Sequence, residues 1–207
     1  GTARAGTDYT THAIRNLASY TGAAVRPAVN RFRVTQSMGD VLGYSGALRR
    51  LAAEVGKIAS DLRLLSMGPR AGIAEIRLPS VQPGSSIMPG KVNPSVPEMV
   101  NQVCFQVFGC DATILIAAEA GQLELNVMMP VIAWNAIHAT RILGNAMQVL
   151  QRRCVAQIEA DEERTRELLD RSTAIATALS PYIGYAATAD IAKTAVKTGR
   201  SIRELVR

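Results

Sequence analysis

The sequence predicts an all-α protein in which long helices form a bundle. Hydrophobic residues make up 48% of the 207 residues, but aromatic residues make up only 4%. The apolar surface is therefore mostly Ala, Leu, Ile, Val and Met, which are typical of helical bundles. Between Val34 and Met67, apolar residues recur at steps of three, four and seven, which places them on one face of a helix. No strand-rich segment and no internal repeat interrupts this pattern.

The N-terminal part of the chain is predicted to hold one short helix. Residues 1–7 are mostly small, and we expect them to be flexible. The short helix covers 11–20 and ends at Gly22, because glycine adopts the left-handed conformation that terminates helices. A connector that contains Pro27 follows over 23–33.

Three long helices are predicted, over 34–67, 97–120 and 130–153. The first carries repeated glycines, each costing about 1 kcal/mol against Ala in a helix interior, so we expect a neighbouring helix to approach closely there. Gly68 and Pro69 end this helix. Pro97 and Glu98 suit the first turn of the second helix, through the fixed ring geometry of proline and the attraction of a carboxylate to a helix N-terminus.

The composition also predicts two domains. It changes after Cys154, and the segment 161–171 is strongly charged, unlike the apolar helices before it. Proline and glycine then punctuate a short helical unit. We expect residues 1–159 to form part of a central helical-bundle domain and residues 160–207 to form a small C-terminal helical domain.

The charge pattern indicates the class of partner. The formal net charge is +6, and the basic residues are spread along the whole chain. A nucleic-acid-binding protein instead clusters basic residues, with aromatic residues between them. We therefore exclude nucleic acid as a partner and expect small anionic molecules, which a cationic cleft concentrates.

The spacing of the cysteines and the length of the apolar runs indicate whether the chain binds a metal ion and in which cellular compartment it lies. The chain has three cysteines and two histidines, and no histidine lies at ligand spacing from a cysteine. We expect reduced, buried thiols and neither a metal nor another cofactor. The longest apolar runs, near 112–118 and 127–134, are shorter than the ~20 residues of a membrane span, and no signal peptide is apparent. We therefore expect a cytoplasmic protein without a membrane partner.

The stretch 84–93, Gly-Ser-Ser-Ile-Met-Pro-Gly-Lys-Val-Asn, says most about function. It lies in a segment, 68–95, that holds five of the nine prolines. Glycine frees the backbone and proline restricts it, so the stretch is predicted to be a shaped loop. Two hydroxyls, one ammonium, one carboxamide and free backbone N–H groups suit a small dianionic substrate.

With its flanks, this loop resembles the signature of the aspartase/fumarase superfamily, Gly-Ser-Ser-x-Met-Pro-x-Lys-x-Asn, and matches it at each fixed position. We call residues 84–93 the signature loop. Four further segments resemble aspartate ammonia-lyases more than class II fumarases, namely 62–79, 93–109, 117–132 and 180–206. One of them reads Gly-Gln-Leu-Glu-Leu-Asn-Val over 121–127, where fumarases typically have Gly-Asn-Phe-Glu-Leu-Asn-Val.

The resemblance implies anti elimination of ammonia from L-aspartate to give fumarate, with Ser85 as the general base. An isolated serine is a poor base and needs activation by its surroundings. We expect backbone N–H groups of Gly84 and Ser86 to stabilise the serine oxyanion. Glu98 matches the position that, in relatives, orients a histidine from another subunit.

The remaining loop residues are expected to hold the substrate. By resemblance, Lys91 pairs with a substrate carboxylate as a point charge, and Asn93 adds directional hydrogen bonds. Ser86 belongs to the same substrate-binding set. The side chains of Ile87 and Met88 are expected to line the pocket and to exclude water when the loop closes.

The resemblance also implies a homotetramer with active sites shared between three subunits. Family members are roughly twice this length, so an inactive, truncated fragment that only self-associates stays an alternative, as does a class II fumarate hydratase. Each residue also has a simpler interpretation. Ser85 suits ordinary turn chemistry, Lys91 suits a solvated surface, and Glu98 suits the first turn of any helix.

Overall fold

A computed structural model describes residues 5–206 and confirms the all-α prediction. The predicted flexible segment 1–7 lies partly outside these residues. Within them the helices are α1 (Tyr9–Thr21), α2 (Arg31–Gln36), α3 (Gly39–Leu65), α4 (Ser95–Glu119), α5 (Met129–Arg153), α6 (Glu162–Arg171), α7 (Ser180–Ile183), α8 (Tyr185–Thr198) and α9 (Ile202–Val206). Two short strands, β1 (Ile76–Arg77) and β2 (Glu159–Ala160), pair antiparallel, with Ile76 opposite Ala160.

The start of the first long helix differs from the prediction. We expected one helix from Val34, whereas α2 ends first and α3 begins at Gly39. Asn30 starts α2, because its side-chain oxygen accepts the N–H of Arg33 at 3.0 Å. Ser37 then adopts an extended backbone (ψ 127°), and its hydroxyl accepts the N–H of Gly39 at 3.3 Å. The serine both breaks the helical path and caps the next helix.

The chain forms two compact units. One comprises the described residues up to Arg49 together with Phe108–Ala139, and the other comprises Arg50–Val107 together with the described residues from Thr140 onward. The long helices α3, α4 and α5 each contribute to both units. This division differs from the predicted boundary between residues 159 and 160, which stays a prediction.

The first unit has an apolar cluster built on α4 and α5. Ile114, Ala117 and Ile132 are buried there, and partly buried residues surround them, namely Met38, Val41, Leu42, Ala118 and Ala136. Asn126, which is 1% exposed, stabilises the connection that follows α4. Its amide donates to the carbonyls of Ala117 (3.0 Å) and Ala118 (3.1 Å). Two carbonyls in the last turn of α4 thus have a polar partner.

A buried carboxylate links α3 to α4 in the same unit. Asp111 is 9% exposed and accepts hydrogen bonds from the Ser45 hydroxyl (2.6 Å) and from the Arg49 guanidinium (2.9 Å). We call these three residues the Asp111 layer. A buried charge is tolerated only when it is paired and hydrogen-bonded, so this layer fixes the register of the two helices.

The second unit holds a comparable contact between α3 and α4. The Asn101 amide donates to the Gly56 carbonyl (2.9 Å) and to the Ser60 hydroxyl (3.1 Å). A Cβ on Gly56 would lie 3.5 Å from the Cys104 side chain, so the predicted close approach of helices is confirmed there. Among the described atoms, a Cβ on Gly43 would meet nothing within 4 Å, and the expectation is wrong at that position.

The C-terminal helices have an apolar cluster of their own within the second unit. Ala176, Ala195 and Ile202 are buried in it. The partly buried residues around them are Ile175, Leu179, Ile191, Ala192 and Leu205. Gly199 ends α8 with a positive φ of 71°, and its N–H donates to the Ala195 carbonyl at 2.9 Å. Glycine adopts this conformation without strain.

The helix α4 bears on the expectation that no segment of the chain spans a membrane. By length and composition alone, this 25-residue helix could cross a membrane, although its apolar runs had looked too short. Core helices of soluble proteins meet the same criteria. Because Asn101 and Asp111 are buried on α4 and bonded to side chains of α3, its polar groups have the partners expected in a helix bundle.

Candidate functional site

The signature loop is closed by a tight contact between its two arms, the segments 84–88 and 91–93 on either side of the turn at Pro89 and Gly90. A Cβ on Gly84 would overlap the carbonyl oxygen of Lys91, so only glycine fits where the arms meet. At the tip, the N–H of Lys91 donates to the carbonyl of Met88 at 3.2 Å. Pro89 and Gly90 are the central residues, and Gly90 has a φ of 76°, which is the geometry of a type II turn. The contact at Gly84 thus excludes a side chain, whereas the turn at Gly90 only favours glycine.

Ser85 is the centre of the hydrogen bonds in this loop. It is half-buried, and its Oγ accepts the backbone N–H groups of Ile87 and Met88, each at 3.1 Å. We had expected the donors to be Gly84 and Ser86. The donors lie two and three residues later because the chain turns immediately after the serine, as in a serine turn. Two N–H dipoles aimed at one oxygen favour a negative charge on it.

The ends of the loop are held by two further hydrogen bonds. The amide of Asn93 donates to the Gly84 carbonyl at 2.6 Å. The amide of Gln82, before the loop, donates to the Ser95 hydroxyl at the start of α4, at 2.7 Å. An asparagine amide has two N–H donors and one acceptor, so the bond to Gly84 uses only part of the capacity of Asn93.

A cavity of about 620 Å³ lies against one flank of the loop. Among the candidate residues, Lys91 and Asn93 line it. Arg77 and Asp161 also line it and bring a second cation and a carboxylate. The rest of its wall consists of Ser66, Gly68, Pro69, Ala74, Ile76, Leu78, Pro89, Gly90, Val92 and Pro94. The cavity is large enough for a small molecule.

The other candidates are outside this cavity wall. Ile87 is 87% exposed and Met88 is 51% exposed, so their side chains point away from the protein interior in this single chain. Ser86 is also exposed, and Glu98 is half-buried in the first turn of α4. The structure therefore brings Lys91 and Asn93 to one cavity and leaves Ser85 and Glu98 off it.

An ion pair lies in the wall of the cavity. The Arg77 guanidinium donates to Asp161 Oδ2 at 2.6 Å, and Asp161 Oδ1 accepts the backbone N–H of Arg164 at 3.0 Å. The hydrogen bond from Arg77, followed by that from the Arg164 backbone, lowers the pKa of the Asp161 carboxyl below its ordinary value. The same carboxylate raises the pKa of Arg77. Both groups are therefore charged at neutral pH.

The sequence reasoning missed two features of this site. The signal for the Ile87 and Met88 donors was present, because a serine that begins a loop commonly accepts N–H groups two and three residues on. The pairing of Arg77 with Asp161 had no comparable signal, since 84 positions separate the two residues.

Other potentially reactive side chains lie outside the loop. His138 stacks on Trp134, with ring centroids 6.1 Å apart and planes 5° from parallel, as expected for packing on a helix face. The three cysteines are buried, and no disulfide links them in the described part of the chain. Burial raises the pKa of the Cys104 and Cys154 thiols, so both stay protonated and unreactive at neutral pH.

Comparison with known proteins identifies the class. A family model described as lyase matches residues 1–109, and a model of the fumarase C C-terminus matches residues 175–207. Because the first match covers more than half of the chain, the chain belongs to this lyase family, within the aspartase/fumarase superfamily. The fold and the signature loop agree with this assignment.

Individual relatives have similar sequences. The chain is 51% identical over 195 residues to an aspartate ammonia-lyase of Pseudomonas aeruginosa, covering 94% of this chain and 41% of the relative. It is 49% identical over 198 residues to an aspartate ammonia-lyase of Helicobacter pylori, covering 96% and 42%. The chain therefore spans about two fifths of the length of these relatives.

Solved structures are similar as well. A cobalt-bound crystal structure described as fumarate lyase:delta crystallin from Brucella melitensis has a TM-score of 0.90 at 49% identity, covering 99% of this chain and 44% of that chain. A class II fumarase from Schistosoma mansoni has a TM-score of 0.83 at 34% identity, covering 95% and 42%. The fold is thus shared by at least two differently named enzymes.

Proposed function

We propose that the protein carrying this sequence is an aspartate ammonia-lyase, which eliminates ammonia from L-aspartate in the anti sense to give fumarate. One observation carries the proposal, namely the pair of backbone N–H groups that converge on Ser85 Oγ. The identities of 49% and 51% to aspartate ammonia-lyases support the choice of substrate.

Ser85 would act as the general base in its deprotonated form. Its oxygen takes the proton from the carbon next to the side-chain carboxylate, the electron pair forms the double bond, and the C–N bond breaks to release ammonia. A serine alkoxide is too basic to persist in water, so it needs preorganised donors. The N–H groups of Ile87 and Met88 meet this need at 3.1 Å.

The same elimination places extra charge on a substrate carboxylate as the proton leaves. Lys91 is exposed on the cavity side of the loop, and its ammonium would pair with a carboxylate of the substrate. Asn93 would add a hydrogen bond with the part of its amide that Gly84 does not use. Ser86 completes the proposed substrate-binding set.

Closure of the loop would exclude water from the reacting atoms. Ile87 and Met88 expose apolar side chains at the tip of the loop, and covering them on substrate binding would remove that surface from water. Glu98, at the N-terminal end of α4, would orient a histidine from another subunit. That contact depends on assembly.

A homotetramer with shared active sites is the assembly we propose. The long helices expose large apolar side chains, among them Phe105, Leu115 and Ile116 on α4 and Trp134 and Ile137 on α5. Extended apolar surface of this kind is typical of helices that pack against a partner. Three buried cysteines without a disulfide among the described residues suit a reducing compartment, so we place the enzyme in the cytoplasm.

The test is Ser85→Ala in the full-length gene product that carries this sequence. We expect the kcat for ammonia release from L-aspartate to fall by about 10²–10⁴-fold, the usual contribution of a general base, while the circular dichroism spectrum is unchanged. Ser80→Ala is the matched control, because Ser80 lies in the same proline-rich segment and outside the proposed site. Near-normal turnover of Ser85→Ala would contradict the proposal.

A class II fumarate hydratase is the second candidate, favoured by the TM-score of 0.83 to the Schistosoma mansoni fumarase. The two functions differ in whether ammonia or water leaves. Incubating the enzyme with fumarate separates them. Loss of fumarate absorbance that requires ammonia supports the lyase, whereas formation of malate without ammonia supports the hydratase.

A further inference from the structure

We propose that Arg77 and Asp161 are positioning residues, which hold the signature loop so that Lys91 and Asn93 face the substrate. This role rests on the proposed function, in which those two loop residues bind the substrate carboxylates. Neither Arg77 nor Asp161 belongs to the family signature. The proposal comes from their place in the wall of the cavity that Lys91 and Asn93 also line.

The first step is the contact between the segment before the loop and the segment before α6. The strands β1 and β2 pair Arg77 with Glu159 in register. The N–H of Asp161 donates to the Glu75 carbonyl at 2.9 Å. Side chains then join the same two segments through the 2.6 Å ion pair of Arg77 with Asp161.

Arg164 adds hydrogen bonds to residues that precede β1 in the chain. Its Nε donates to the Ile73 carbonyl at 3.0 Å, and its Nη2 donates to the Gly72 carbonyl at 2.8 Å. Asp161 holds the backbone of Arg164 by capping α6. Both ends of the stretch 72–77 are therefore bonded to the start of α6, the first end through Arg164 and the second through Asp161.

The second step connects this attachment to the loop. Only six residues separate Arg77 from Gly84, and two of them are prolines, which restrict the path. Gln82, within that linker, is bonded to Ser95 at the other end of the loop. Fixing the position of Arg77 therefore fixes where the loop begins. Because Gly84 contacts the Lys91 carbonyl, the position of Lys91 in the cavity wall is fixed as well.

The third step separates positioning from general stability. The Arg77 side chain is 66% exposed and that of Asp161 is 22% exposed, and an ion pair this exposed adds little to global stability. A two-residue strand pair is marginal by itself. Losing the ion pair should therefore loosen the linker and the loop without unfolding the protein.

The experiment uses Arg77→Gln, Asp161→Asn and the double variant in the full-length gene product. Asparagine keeps the cap on α6 because it is as good an N-cap as aspartate, so only the charge is lost. We expect the KM for L-aspartate to rise about 3- to 10-fold with kcat changed by less than about 2-fold. The double variant should resemble the single variants, and Arg77→Lys should restore most of the affinity.

A second readout does not depend on activity. The N–H groups of Ile87, Met88 and Lys91 are hydrogen-bonded within the loop. We expect peptides that cover 84–93 to exchange their amide hydrogens about 3- to 10-fold faster in Arg77→Gln than in the native protein. Peptides from α8 should be unchanged. Lys193→Gln, which removes the exposed contact with Asp190 at 3.9 Å, is the control and should change neither measurement.

The outcomes distinguish this inference from the proposed function. If Ser85→Ala abolishes turnover but Arg77→Gln and Asp161→Asn leave KM and loop exchange unchanged, the positioning role is overturned and the proposed function stands. A higher KM without faster loop exchange also overturns it, because the ion pair would then act elsewhere. If Ser85→Ala keeps its turnover, the proposed function fails, and the exchange experiment alone decides whether the ion pair holds the loop.

Discussion

The signature loop and the Asp111 layer use polar groups in opposite ways. In the loop, polar side chains bond to the backbone, with Ser85 accepting two N–H groups and Asn93 donating to a carbonyl. In the layer, side chains bond to one another across two helices. The loop leaves the Ile87 side chain 87% exposed, whereas Asp111 is 9% exposed.

This difference separates the residues that determine shape from those that determine stability. Within the loop, the Ser85 and Asn93 side chains bond to nearby main-chain groups, so its internal conformation depends on where glycine and proline permit the chain to turn. The helices are held by side chains that must be complementary at long range. Changes in the loop should therefore affect chemistry first, and changes in the layer should affect folding first.

The largest effect is expected from Gly84→Ala. Its Cβ would overlap the Lys91 carbonyl, so the two arms of the loop must separate and Ser85 must move relative to Lys91. We expect turnover to fall by about 10²-fold or more, because small displacements of catalytic groups cost this much. The melting temperature should change little. Steady-state kinetics and thermal unfolding of the full-length gene product measure both.

Gly90→Asn is the matched change within the same loop. Gly90 has a φ of 76° but open space where a Cβ would lie, and asparagine tolerates this conformation better than other residues do. We expect turnover within about 5-fold of the native value. Equal losses in the two variants would mean that the contact between the arms is not what shapes the loop.

The second effect is on stability and comes from Asp111→Ala. This change leaves the buried Ser45 hydroxyl without its 2.6 Å acceptor and removes the partner of Arg49. We expect the free energy of unfolding to fall by about 1–3 kcal/mol. Urea unfolding followed by circular dichroism measures it, with turnover per folded molecule kept near the native value.

Asp190→Ala is the control for this change. Asp190 forms an exposed contact of 3.9 Å with Lys193, and such surface pairs contribute little. We expect a change of less than about 0.5 kcal/mol. A similar loss in both variants would show that burial of Asp111 does not matter, and the contrast between layer and surface would be lost.

Most of the helical fold could be predicted because its signals are local. Apolar periodicity and the residues at helix ends predicted α4 and α5 to within two residues. The predicted start of α3 was wrong because the Ser37 hydroxyl accepts the N–H of Gly39, the first residue of a new helix. A single side-chain hydrogen bond determines where α3 begins, and the periodicity of apolar residues does not predict such a bond.

The site was only partly predictable. The identity of the signature loop followed from its unusual residues, and the grouping of Lys91 with Asn93 followed from the resemblance of that loop to the family signature. The role of Arg77 depends on Asp161, a residue from a distant part of the sequence. No local sequence pattern predicts such a contact, because it forms only when β1 and β2 pair.

The smallest effect is expected from Glu167→Gln on α6, which tests a third kind of polar contact. Glu167 is bonded first by Arg164 and then by Arg171, and these bonds lower the pKa of its carboxyl below the ordinary value of 4.5. A lowered pKa in the folded state contributes stability that is present above the ordinary pKa and is lost as the pH falls through the folded value. At pH 7 we expect Glu167→Gln to melt about 1–3 °C below the native protein.

The pH dependence distinguishes this contact from the other two. Since the native carboxylate is protonated as the pH falls below 4.5, the difference between the native protein and Glu167→Gln should close in acid. Thermal unfolding at pH 7 and at successive values below 4.5 measures it, with Glu54→Gln on the exposed side of α3 as the control. A difference that persists unchanged in acid would mean that the glutamine disturbs packing on α6. The carboxylate would then belong with the Asp111 layer as a structural group, and would not be an exposed charge held by two arginines.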